Sequence, residues 1–387
     1  MMMKAPLLLA GFTALCLAAA RAPATPITPH DDAEVVETLP ADAARAQDKR
    51  LRRLLEAAPR DAGIALAAAR RDLERARTLG DPRYAGHALA AIAPWTDVAT
   101  MPPELLLMRA TLQQYLHDFD GAAELLERLT ARPPTAVHAQ ALLTLATVRR
   151  VQGRYDASDV ACRRLPEFGA DLYARACLAE NAGLRGQADA ARRTLQALLA
   201  APGLPREAAA WLTTTLAELE QRAGHGDAAD RAYRRALELD ADGYTKLAYA
   251  DFLIDERRPA EALAALAGEV RSDAVLLRLA IAGAAAGAPA AAADAAELRA
   301  RIAQANLRPE AVPLHAREQA MFALQIEHRA DLALALARGD VQHQREPLDL
   351  LVLARAARAA ASPAALGEAR SLVNRMNLHD HRIDALL

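Results

Sequence analysis

GHGDAADRAYRRALELDAD, residues 224–242, decides how the rest of the chain is read. Two glycines open it, and Ala229, Ala232, Tyr233 and Ala236 then recur at i, i+3, i+4 and i+7, which is one face of an α-helix. Asp, Arg and Glu fill the positions between. Related stretches lie on both sides: RRPAEALAAL (257–266), GRYDAS (153–158) and HDFDGAAELLERL (117–129). From Ala41 onward the pattern is helical throughout, in segments of 11 to 19 residues broken at Gly, Pro or Asp, with no convincing strand alternation.

The breaks align. Residues that would turn one helix into its antiparallel partner stand at Gly80, His117, Gly153, Gly186, Gly224, Arg257, Gly287, His328 and Ala361, at gaps of 30 to 41 that average about 35. Packing positions repeat with them. Seven residues before the turn stand Ala110, Ala146, Ala179, Ala217, Ala250, Ala280 and Ala354, broken by Met321. Five after it stand Ala122, Ser158, Ala191, Ala229, Ala262, Ala292 and Ala333, broken by Leu366. Two antiparallel helices approach closely only where a small residue faces another. One hairpin cannot bury its apolar face alone, so such units stack into a quasi-one-dimensional solenoid.

On these residues the chain resembles tetratricopeptide repeat (TPR) proteins, over roughly residues 60 to 376. LGDPRYAGHALAAIAPW (79–95) resembles the first repeat of a group of exported bacterial TPR proteins. The resemblance implies an all-α fold, a right-handed α-α superhelical solenoid of about nine TPR-like hairpins. A charged helix at 41–57 would cap one end, and a tail at 377–387 would fold back on the last hairpin or fray. The family's second-helix aromatic survives only as Tyr233, and prolines at 101–103 and 309–313 stretch the spacing. The resemblance also implies a concave groove lined by the first helix of each hairpin. Its positions here are Thr111, Gln114 and Tyr115; Thr147, Arg150 and Val151; Glu180; Glu218, Gln221 and Arg222; Asp251, Ile254 and Asp255; and Phe322 and Gln325. Such a groove is mixed in charge, with acids toward its middle and C-terminal half. It suits an extended polypeptide, a basic one included, better than a phosphate-rich polymer.

Composition narrows the function classes. The 387 residues carry a net charge of −2 and only 4% aromatics, which argues against a dedicated nucleic-acid binder. About a quarter of the chain is Ala, a strong helix former. Lys4 precedes an apolar run from Leu7 to Ala20, too short to span a membrane and ending in the small residues a signal peptidase requires. Residues 1–20 are therefore expected to be a signal peptide and the Pro-rich residues 21–40 a linker, giving a periplasmic or secreted protein without membrane insertion after cleavage. A lipidated Cys16 and an uncleaved anchor followed by Arg21 are the alternatives. Cys162 and Cys177 remain, either as a disulfide or as two small buried residues.

No catalytic, metal or cofactor motif emerges. Gly224-x-Gly226-x-x-Ala229 imitates a dinucleotide fingerprint, but it follows a helix where the phosphate site needs a strand. His379-Asp380-His381 is the most metal-like cluster, and it lacks a third ligand nearby. The expected function is a non-enzymatic scaffold or adaptor of the bacterial envelope that binds a peptide or partner protein. A self-assembling envelope protein, whose apolar end Ile383 to Leu387 stacks between copies, is the alternative, with a small-molecule binder third.

Overall fold

Every turn landmark read from the sequence has a left-handed backbone. In the computed structural model φ is 64° at Gly80, 72° at Gly153, 82° at Gly186, 77° at Gly224 and 67° at Gly287. The four landmarks that are not glycine follow suit: His117 at 60°, Arg257 at 58°, His328 at 55° and Ala361 at 48°. Nearly all close their helix the same way. The amide one residue past the landmark donates to the carbonyl five residues before itself, as in Arg154 to Arg149 (2.8 Å), His225 to Glu220 (2.9 Å) and Ser362 to Ala357 (3.0 Å). At His328 the link is one residue longer, with the Arg329 amide reaching Ala323.

The structure describes Asp31 and residues 43–307 and 315–387. The expected signal peptide, and the linker apart from Asp31, lie outside these residues, as does the Pro-rich stretch at 309–313. The chain divides into two units, Met1–Gln47 and Asp48–Leu387, and the paired helices all belong to the second.

All regular structure among the described residues is helical. After α1 (Ala43–Ala57) the helices pair into hairpins: α2 (Ala62–Leu79) with α3 (Arg83–Ile92), α4 (Pro103–Tyr115) with α5 (Phe119–Thr130), and α6 (His138–Val151) with α7 (Tyr155–Arg164). Next come α8 (Asp171–Leu184) with α9 (Ala188–Leu199), α10 (Arg206–Arg222) with α11 (Gly226–Leu239), and α12 (Gly243–Asp255) with α13 (Pro259–Ala265). The series closes with α14 (Asp273–Ala286) and α15 (Ala291–Ala305), α16 (Ala316–Gln325) and α17 (Ala330–His343), α18 (Pro347–Ala359) and α19 (Pro363–Met376), then the short α20 (His381–Asp384). This is an all-α helical-repeat solenoid of TPR-like hairpins.

The alanine rows explain the stacking. Ala110, Ala146, Ala217, Ala250, Ala280 and Ala354 have no exposed surface, and neither do Ala122, Ser158, Ala229, Ala262 and Ala333. Ala292 departs and is exposed, because two extra residues, Ala288 and Pro289, separate Gly287 from the start of the next helix. Asp294 takes the buried position there and pairs with Arg271 (2.8 Å). Between hairpins, the Tyr233 ring packs at a tilt on Tyr249 and Phe252, with ring centres 5.5 and 5.6 Å apart.

The solenoid meets itself. The Arg345 amide donates to the Val151 carbonyl (2.7 Å) and the His379 amide to the Leu184 carbonyl (2.8 Å). Residues 377–387 neither fray nor lie on the last hairpin alone. They cross the turns of the middle hairpins, where a Cβ at Gly186 would come within 2.8 Å of the His379 ring and one at Gly224 within 3.1 Å of the His381 ring. Leu378 and Ile383 are buried in this contact.

Candidate functional site

The first helices of the hairpins from α6 to α18 line a cavity of about 700 Å³. The position six residues before each turn supplies one row of its wall, with Thr147 from α6, Glu180 from α8, Glu218 from α10 and Asp251 from α12. Arg150, Val151, Gln221 and Arg222 extend the same surface one turn of helix further along. Of the groove positions read from the sequence, the cavity thus gathers Thr147, Arg150, Val151, Glu180, Glu218, Gln221, Arg222 and Asp251.

Gln114, Tyr115 and Asp255 lie elsewhere. Tyr115 is half-buried and donates its hydroxyl to the Ala76 carbonyl (3.0 Å), which ties α4 to the preceding hairpin. Gln114 sits beside it, half-buried at the end of α4. Asp255 is taken up by the closure of the solenoid: Arg355 reaches it at 2.8 Å and Arg382 at 3.2 Å. Thr111, Ile254, Phe322 and Gln325 do not line the cavity either.

The cavity also holds residues that the repeat positions did not indicate. Arg278 stands in the otherwise apolar run DAVLLRLAIAGAAA of α14 and forms a two-point contact with Asp251 (2.9 and 2.7 Å). A lone cation in such a run was the available signal. Arg317, Glu346 and Arg382 come from the far end of the chain, and only the closure brings them here. Trp211 and Tyr244 add rings to a wall in which charged residues alternate with apolar ones such as Leu184, Leu247 and Leu348.

Most cations of the cavity have an acid of their own. Arg150 meets Glu180 at 2.8 Å, and Arg317 meets Glu346 at 3.0 Å and the fully buried Asp349 at 3.1 Å. Arg382 is held by Asp380 at 2.7 Å. Glu218 accepts the Tyr244 hydroxyl at 2.5 Å. Loss of water around Glu218 raises its pKa against the pull of Arg222, and the nearby Glu180 and Glu346 charges add to the rise.

Among the described residues no group of three His, Cys, Asp or Glu side chains could hold a metal ion. Asp380 is committed to Arg382, while the rings of His379 and His381 pack on separate turns. No described helix is long and apolar enough to cross a membrane. Cys162 on α7 and Cys177 on α8 are joined in a disulfide, with their Cα atoms 6.0 Å apart.

No protein-family model matches the chain, and no curated protein does. Among solved structures it is similar to a crystal structure of Rap protein complexed with competence and sporulation factor, at 12% identity over 81% of this chain and 93% of that one, TM-score 0.48. It is also similar to a crystal structure of the P58(IPK) TPR domain, at 14% identity over 82% of this chain and 94% of that one, TM-score 0.22. The chain's own hairpins, rather than these likenesses, establish its repeat.

Proposed function

We propose that this protein is a non-enzymatic binding scaffold of the bacterial envelope that receives a short segment of a partner polypeptide in its central cavity. The observation that carries this reading is the convergence of inward positions from consecutive hairpins on one cavity of mixed charged and apolar lining. Taking charged groups out of water on a solenoid's inner face costs stability, so their retention there supports a binding role. The closure limits the segment: about 700 Å³ lies within the range of small-molecule sites, roughly 300–1,000 Å³, so a few residues enter rather than a long strand.

Two features support an envelope location. Lys4 and the apolar run Leu7–Ala20 have the form of an export signal, and the Cys162–Cys177 disulfide belongs to an oxidising compartment. The self-assembly alternative loses part of its surface, since Ile383, in the apolar end it would stack, is buried against the protein's own hairpins.

In-cell photo-crosslinking tests the reading. A photoreactive residue replaces Thr147 or Ala248, both in the cavity wall, with a control at the exposed Val160 on α7. The expected result is one envelope polypeptide trapped at both cavity positions and absent from the control. Adducts equal to the control, or found only between copies of this chain, would overturn it.

A further inference from the structure

We propose that residues 344–346, which join α17 to α18, form an acid-closed latch on the seam where the solenoid meets itself. One proton shared by Asp340 and Asp349 holds the link in place, and its loss lets the seam part beside the cavity. What the latch regulates rests on the binding-scaffold reading, whereas its mechanism and its test need no ligand.

Every residue of the link is committed. Gln344 is buried, and its side-chain amide donates to Asp340 at 2.9 Å and to Asp349 at 3.4 Å. The Arg345 main-chain amide crosses the seam to the Val151 carbonyl at 2.7 Å, one of the carbonyls that the end of α6 leaves without a partner inside its own helix. The Glu346 amide donates to Asp349 at 2.7 Å, and the Glu346 carboxylate meets Arg317 at 3.0 Å. Glu346, Pro347 and Leu348 then stand in the cavity wall, as Val151 does from the other side of the seam. Three consecutive residues therefore tie a carboxyl pair to the seam and to the cavity.

The pair is where a proton decides. Asp340 is 3% exposed and Asp349 0%, and the two carboxyl groups stand within hydrogen-bonding reach of each other. Two carboxylates stripped of water at that range do not both ionise without a large penalty, so one keeps its proton. Among the described residues Arg317 of α16 is the one cation ion-paired to the pair, through Asp349, and Glu318 and Glu346 draw on the same guanidinium. His117, in the turn after α4, faces Arg317, His315, Glu318 and Glu346, and burial lowers its pKa below the usual histidine range. Arg345 itself lies toward Arg154 and Arg375, with Asp120 the nearby acid. Burial raises both carboxyl pKa values against the pull of Arg317. Folded values above the unfolded ones mean that the closed link is favoured in acid and weakens as pH rises through the neutral range. The second negative charge drives the carboxylates apart, and Gln344 and the Glu346 amide, which they hold, move with them. Arg345, between those two, then leaves Val151.

The test is hydrogen exchange of the full chain, read by mass spectrometry at about pH 5.5 and about pH 8.5 and corrected for the chemical effect of pH on exchange. Protection over residues 341–349 should fall at least tenfold between the two, while protection over α2 and α3 holds. Asp340→Asn keeps an acceptor for Gln344 but cannot ionise, and should stay protected at both. His117→Gln should respond as the parent does. Equal protection of the parent at the two pH values would overturn the latch, and so would a fall just as large in Asp340→Asn. A fall that His117→Gln abolishes would assign the response to imidazole, and one shared by α2 and α3 would make it global unfolding; either sinks the proposal. If Asp340→Asn fails to fold, Asp349→Asn carries the same expectation. The photo-crosslinking experiment fails independently. A partner trapped at Thr147 while exchange ignores pH would leave the scaffold standing without its latch.

Discussion

Ion pairs one repeat apart in sequence stitch both faces of this solenoid, and the two faces treat them differently. On the outside, Arg338 of α17 meets Glu368 of α19 at 2.8 Å, thirty residues on, with side chains 42% and 51% exposed. On the inside, Asp251 of α12 meets Arg278 of α14 at 2.7 Å, twenty-seven residues on, with exposures of 16% and 5%. The two contacts share a spacing and a chemistry but not a solvent. An exposed pair gains little, because water and salt screen it. A stripped pair has lost the hydration of both ions, and well-packed apolar residues would often serve stability as well or better. Stability alone therefore does not account for the inner charges, whereas the proposed binding role does.

The largest expected effect breaks the inner pair. Asp251→Ala leaves the Arg278 guanidinium buried without an acid and should lower stability by about 3–5 kcal/mol, read from urea unfolding. The paired change Asp251→Leu with Arg278→Met should recover much of that loss. An Asp251→Ala penalty no greater than that of an outer-face variant would remove the distinction between the faces.

A smaller effect comes through pH. Asp340 and Asp349 lie together beside Arg317, with Gln344 donating to both at 2.9 and 3.4 Å. Burial pushes the Asp340 pKa far above the ordinary carboxylate value, and the Asp349 charge adds to the rise. Burial raises Asp349 too, against the pull of Arg317. The folded pair therefore keeps a proton that the unfolded chain releases near the ordinary value. Stability from this source is complete in acid and is lost as pH rises through the neutral range. Asp340→Asn should flatten the fall in melting temperature between about pH 5 and pH 9. A parallel fall in both proteins would show that the carboxyl pair does not govern it.

The smallest effect belongs outside. Arg338→Ala should change stability by no more than about 0.5 kcal/mol, and its coupling to Glu368 in a double-mutant cycle should vanish in high salt. A coupling that survives salt would mean that the outer pair is less wet than its exposure implies.

The repeat was legible because its signals are local. Turn residues, alanine rows and helical periodicity all lie within about 35 residues of one another, and every landmark took the left-handed backbone, including four that are not glycine. Ala292 misled because two added residues moved the start of α15, which periodicity cannot detect when nearly every neighbour is alanine. About a quarter of the cavity wall was legible for the same local reason: Thr147, Arg150, Val151, Glu180, Glu218, Gln221, Arg222 and Asp251 follow from position in the hairpin. Arg317, Glu346 and Arg382 do not, because their place depends on where the far end of the solenoid returns. Asp255 shows the cost of that blind spot. It sits at an inward position, and the returning Arg355 and Arg382 consume it.

The return of residues 377–387 across the middle turns changes how the molecule comes apart. In an open array each unit touches only its neighbours, so terminal units can peel away singly and the total is a sum of nearest-neighbour contributions. Here Arg382 holds Asp255 across 127 residues of chain, and the hairpins between them form a hoop with a clasp. Deleting residues 377–387 would remove that clasp while Arg345 still meets Val151 and Arg355 still meets Asp255, so the hoop would loosen first at Gly186 and Gly224, far from the cut.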